Sequence, residues 1–139
     1  VILFENIDRE VPNFDSELFV SALSKLILIE GKTVDAVNVV FCSDEHLLQM
    51  NKAYLEHDYY TDIITFDYCV DNLVSGDLFI SIDRVEDNAR NGAVDFLNEL
   101  ARVCAHGVLH LCGYKDKSEA DARLMRSKEN EYLPLFGFT

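Results

Sequence analysis

A chain of 139 residues, 49% hydrophobic and 27% charged, has the composition of a soluble globular protein and the length of one domain, residues 1–139, burying roughly two-thirds of its unfolded surface. Its formal net charge of −13 argues against indiscriminate nucleic-acid binding, because phosphate affinity comes mainly from basic side chains releasing counterions; a local basic patch still acts within a Debye length of about 8 Å. No run of about 18 apolar residues is present, the opening residues lack a signal-peptide pattern, and the four scattered cysteines form no CxxC pair, so the expectation is a cytoplasmic protein with reduced core thiols.

Residues 1–7 read as an opening strand. Pro12 and Asn13 break the chain, and Asp15 or Ser16 caps a helix over 17–29, with Leu18, Ala22, Lys25 and Ile29 on one row and Phe19, Leu23 and Leu26 beside it. The β-branched, apolar run 36–42 is a central strand. Ser43 caps the next helix, Asp44 and Glu45 place negative charge in its first turn, and Leu47, Leu48, Met50 and Tyr54 form its inward side. The polar and aromatic tract 56–62 is a loop that suits a substrate rim, although an ordinary connection with packed-down aromatics explains it equally well. Residues 62–69 and 78–82 read as strands joined by a turn over 71–76, a connection short enough to require an antiparallel pair. A helix over 83–91 ends at Gly92, Asp95 caps a helix running to Cys112, and Ser118 with Asp121 opens a last helix in which Leu124, Met125 and Tyr132 pack inward; Pro134 begins a tail. This order predicts an α+β fold: a mixed four-stranded sheet with one antiparallel edge, covered by about five helices.

The chemistry concentrates in His106-Gly107-Val108-Leu109-His110-Leu111-Cys112-Gly113-Tyr114-Lys115-Asp116. Histidines four apart lie one turn from each other on a helix, so both rings reach a common ion, and Gly113 frees the chain to turn Asp116 back toward them. Leu97, Leu100, Cys104, Val108 and Leu111 form the core stripe, while Glu99, Arg102, His106 and His110 lie about 150° away. A half-exposed histidine pair without a role is the plain alternative. The ligand spacing copies that of metzincin peptidases, but Gly107 stands where their general-base glutamate belongs, so peptidase chemistry lacks a necessary part.

This stretch resembles the HGxLHLxGYDH signature of the YbeY family, and the likeness continues through Thr61-Asp62-Ile63-Ile64-Thr65-Phe66, through Gly76-Asp77-Leu78-Phe79-Ile80-Ser81 and around Met125 and Glu129. The resemblance implies a zincin-like fold and a metal-dependent endoribonuclease of ribosomal RNA maturation and ribosome quality control. RNA and the ribosome or its small-subunit proteins would be its partners. Two departures stand out: Asp116 replaces the family's third histidine, and Leu55 replaces the usual arginine. Aspartate remains a competent ligand for zinc, whereas Leu55 offers no fork to phosphate. The resulting expectation is that His106, His110 and Asp116 hold zinc or another divalent ion, one per chain, with an open position for water. Arg102 joins the histidines as a catalytic candidate that orients a phosphate, with an ion pair to Glu99 as its plain alternative. Thr61, Asp62 and Asp77 are implied to be structural or site-shaping. Lys115, Lys117, Arg123, Arg126 and Lys128 supply further cations, and a solvated surface is their bland reading. The rival function from another class is a metal-stabilised ribosome-associated binding module without hydrolytic activity.

Overall fold

The computed structural model describes residues 1–57 and 59–138. Along the chain run β1 (Ile2–Asn6), α1 (Ser16–Ile29), β2 (Thr33–Cys42), α2 (Asp44–Leu55), β3 (Ile63–Asp67), β4 (Leu73–Ser81), α3 (Ile82–Gly92), α4 (Phe96–Leu111), α5 (Glu119–Tyr132) and a 3-10 turn, Leu133–Phe136. The sheet order is β1-β2-β4-β3. β2 pairs in parallel with both β1 and β4, each crossover carrying a helix, whereas β3 and β4 are antiparallel. The mixed sheet with one antiparallel edge is therefore the predicted one.

The turn between β3 and β4 is shorter than the composition of residues 71–76 suggests. Val70 and Leu73 close it with reciprocal backbone hydrogen bonds, Asp71 takes a positive φ, and β4 begins at Leu73 rather than Leu78. Pairing of Leu73 and Val74 with Thr33 and Val34 of β2, and of Gly76 with Val37 of β2 and Asp67 of β3, overrides the turn-like character of this stretch. On β4, Val74, Leu78 and Ile80 face the main core with α1 and α4, while Phe79 packs with Cys42, Leu47 and Ile64 beneath α2.

Several helix faces differ from expectation. α1 buries Phe19, Ala22, Leu23, Leu26 and Ile27, leaving Leu18 and Ile29 exposed. The aromatic row prevails because Phe19 meets Phe14 and Phe136 edge-on at 4.8 and 5.0 Å between centroids. Phe136 is thereby a core residue rather than part of a tail, and Leu133 before Pro134 is buried with it. Tyr54 and Leu124 point outward, whereas Met125 and Tyr132 are buried. α3 ends with its left-handed residue at Ala93, one past Gly92. Ser43 and Ser118 cap their helices by accepting from His46 N and Asp121 N, both at about 3 Å, but Asp95 makes no such bond. All four cysteines are free, and burial pushes the Cys42 and Cys112 thiols up to about 12, the range of inert packing groups. No described helix is long and apolar enough to cross a membrane.

Candidate functional site

α4 lies unusually close to the sheet, and Gly107 is the reason. A Cβ there would stand 2.7 Å from Ile63 Cδ1 and 2.9 Å from Leu78 Cδ1, so only hydrogen fits between helix and strands. With Leu100, Cys104, Val108 and Leu111 buried on that side, His106 and His110 turn onto the flank. Their ring centroids are 6.1 Å apart. After Cys112, Gly113 adopts φ +109°, a conformation that costs a side chain dearly, and Tyr114 N returns to Leu109 O at 3.1 Å. The reversed chain brings Asp116 Oδ2 to 3.1 Å from His106 Nε2.

Both imidazoles are held from behind. His106 Nδ1 lies 2.7 Å from Glu129 Oε2, and His110 Nδ1 lies 2.7 Å from the carbonyl oxygen of Tyr114. A carbonyl has no proton to give, so His110 Nδ1 must donate, which leaves its Nε2 as the lone-pair nitrogen. The Glu129 carboxylate likewise accepts from His106 Nδ1, and an ion at His106 Nε2 would replace the proton that faces Asp116. Carboxylate or carbonyl behind each ring is the arrangement that fixes tautomer and direction in metal-ligating histidines. Among the described residues no three His, Cys, Asp or Glu side chains form a closed metal-holding group. His106 and Asp116 pair directly instead, and His110 stands alongside. The donor set nevertheless fits a divalent ion: two nitrogens whose opposite Nδ1 atoms are committed elsewhere, and one hard oxygen.

Glu129 is only 5% exposed, a buried charge that needs compensation. Arg102 Nη1 donates to it at 3.0 Å, and Arg102 Nη2 donates to Asn130 Oδ1 at 2.8 Å. The plain alternative to a phosphate-orienting Arg102, an ion pair with Glu99 one turn back on the same helix, is not the one formed: the ion pair crosses to α5. Both terminal nitrogens are thus engaged within the protein. Burial depresses the His106 pKa, but the hydrogen bond to Glu129 and the charges of Glu129, Asp116 and Asp62 outweigh it, so the imidazole holds its proton above the ordinary value of 6.5. Burial likewise lifts the carboxyls of Asp62 and Glu99 above the usual carboxylate range.

Two cavities flank His106, of about 340 and 410 Å³. Asp62, His106 and Asp116 line both. Glu99, Arg102, Arg126 and Glu129 are among the further residues that line the first; Leu55, His110 and Lys117 border the second. The implied trio of Thr61, Asp62 and Asp77 divides: the first two reach the cavities, while Asp77 lies on the opposite sheet face, accepting from Asn38 at 3.0 Å. Most of the aromatic tract does not line the rim either. Tyr59 stacks on His57, and Tyr60 lies under Arg84, so the bland reading fits these rings; Asp58 is outside the described residues. Lys128 belongs to another cluster, and exposed Arg123 faces Glu119 at 4.0 Å.

A family model described as Endoribonuclease YbeY matches residues 3–137. The chain belongs to the YbeY endoribonuclease family. It is 52% identical over 131 residues to the Endoribonuclease YbeY of Flavobacterium johnsoniae, covering 94% of each chain. To that of Phocaeicola vulgatus it is 41% identical over 135 residues, covering 97% of this chain and 98% of the relative. The solution structure of TM1509 from Thermotoga maritima superposes with a TM-score of 0.70 at 27% identity, covering 98% of this chain and 89% of that one. The mixed sheet and its helices are accordingly the zincin-like fold of this family.

Sequence reasoning missed two members of the site. Glu129 entered only through the resemblance, yet it shares a helix row with buried Met125 and Tyr132, and an acid on a buried row signals a partner. The Tyr114 carbonyl left no signal, because backbone acceptors are invisible in residue types.

Proposed function

We propose that the protein is a metal-dependent, single-strand-specific endoribonuclease acting in ribosomal RNA maturation and ribosome quality control, located in the cytoplasm and meeting the ribosome or its small-subunit proteins. Family membership supports the endonuclease reading over the binding module and the peptidase. The observation that carries the metal assignment is the anchoring of both Nδ1 atoms, which leaves two Nε2 atoms for coordination. His106, His110 and Asp116 would hold zinc, one ion per chain, which when bound supplies a Lewis acid beside the scissile phosphodiester.

The remaining groups orient and bind. Glu129 fixes His106 and raises its basicity, and Arg102 holds Glu129, so Arg102 acts as a positioning residue rather than as the phosphate-orienting group expected of it. Asp62 shapes the wall common to the two cavities. A single strand crossing from one cavity to the other meets Arg126 at one rim and Lys117 at the other, and Lys117 supplies beside Leu55 the cation that the missing arginine does not. Lys117→Ala and Arg126→Ala are each expected to weaken single-stranded RNA binding and to flatten the log–log salt dependence by about 0.7. An unchanged slope in both variants would remove these lysine and arginine contacts from the account.

Cleavage of single-stranded RNA that stops on chelation and returns with zinc tests the whole reading; cleavage indifferent to chelator sinks it. The pH dependence has a definite sign. In the metal-free protein the raised His106 pKa contributes stability that is full below 6.5 and is lost as pH rises through the folded value. Ion binding must displace that proton, so zinc occupancy at limiting metal should fall with acid and begin to fall above pH 6.5. Metal content that stays flat between about pH 8 and 5 contradicts imidazole ligation.

A further inference from the structure

Tyr114 is held at both ends. Its carbonyl receives His110 Nδ1 at 2.7 Å, and its phenol donates to Glu30 Oε1 at 2.8 Å, 84 residues earlier in the chain. Glu30 terminates α1 and is only 12% exposed through its side chain. Its other oxygen accepts from the Tyr132 hydroxyl, and Lys128 Nζ lies 3.6 Å from that oxygen while covering the rings of Tyr114 and Tyr132. Burial disfavours the charge on Glu30, but the two phenols and Lys128 hold its carboxyl below the ordinary value of 4.5. The cluster therefore presents a fixed anion to a residue that stands one past Gly113 and two before Asp116.

We infer that Glu30 is a positioning residue of the metal centre: by pinning the Tyr114 phenol it fixes the carbonyl that sets the His110 tautomer and the path that returns Asp116. This rests on His110 and Asp116 being ligands. The two halves of the Glu30 carboxylate have separable duties. Oε1 serves the ligand loop through Tyr114, and Oε2 ties α1 to α5 through Tyr132.

That division supplies the test. Zinc affinity is measured by competition with a chromogenic chelator, the His110 ring tautomer by nitrogen NMR shifts of the metal-free protein, and stability by urea midpoint. Tyr114→Phe and Glu30→Ala are each expected to weaken zinc binding about 10–100-fold and to raise the share of His110 carrying its proton on Nε2. The double variant should be no weaker than either single one, as expected for one shared contact. Glu30→Gln, which keeps an acceptor for the phenol, should recover most of the affinity. Tyr132→Phe should lower the midpoint with affinity and tautomer unchanged. Unaltered affinity and tautomer in Tyr114→Phe overturn the inference even where Glu30→Ala fails to fold. His110→Ala is the control: if it too leaves zinc binding intact, the ligand assignment itself is wrong, whereas its loss alongside a normal Tyr114→Phe removes only the positioning role.

Discussion

Replacing His110 with alanine is expected to lower RNA cleavage by more than ~100-fold and to abolish stoichiometric zinc at pH 7, with little change in the urea midpoint of the metal-free protein. The reason lies in the separation of duties along α4. His110 faces the flank, and among the described residues its hydrogen bond is to the Tyr114 carbonyl, with the His106 ring beside it, so its removal deletes a nitrogen donor and little core packing. His106→Ala should be equally inactive but less stable. It strips a partner from the buried Glu129 carboxylate, leaving that charge to Arg102 and the more distant Arg126. Asp116→Ala should weaken zinc about 10–100-fold, and Asp116→His, which restores the donor usual in the family, should keep both metal and cleavage. Full cleavage by His110→Ala protein, free of contaminating nuclease and still insensitive to chelator, would end the proposed mechanism.

The second large effect is structural. Gly107→Ala is expected to cost about 1–3 kcal/mol of stability, since the new methyl meets Ile63 and Leu78 inside contact distance; Leu78 is fully buried, while half-buried Ile63 can shift toward the cavity it lines, which favours the lower end of that range. Gly92→Ala is the matched control. No atom lies within 4 Å of the added carbon, and the better helix former should be neutral or stabilising by up to about 1 kcal/mol. Thermal or urea unfolding of the two variants checks the contrast, and equal midpoints would show that α4 does not lie as close to β3 and β4 as described. Gly107→Glu should be worse still, placing a carboxylate in the same gap. A peptidase-like base therefore cannot be restored at this position without moving the helix.

What could be read from residue types alone was local. The stripe on α4, the serine caps of α2 and α5 and the offset of the histidines from the core face follow from spacing within one element, and the antiparallel edge follows from the short link between its two strands. The errors arose where an element chooses among partners. α1 carries two adjacent apolar rows, and the phenylalanine cluster decides between them only in three dimensions. Arg102 has Glu99 one turn back, so a helical rule pairs them, but a buried carboxylate on α5 has the stronger need. The turn-like residues after Asp71 become strand because β2 offers them a ladder. At the candidate site the three proposed donors were legible from one motif, while the groups that aim them, Glu129 and the Tyr114 carbonyl, come from tertiary contacts.

The three proposed donors do not share one kind of support. His106 and His110 ride a helix packed against β3, β4 and neighbouring helices, whereas Asp116 is exposed in the short connection beyond Gly113. An ion held by these three would be released when the acid arm swings away, with both rings left in register for recapture. Exchange of such an ion would be fast compared with unfolding, and the species carried at any moment would follow what the surrounding fluid supplies rather than what was present when the chain first folded.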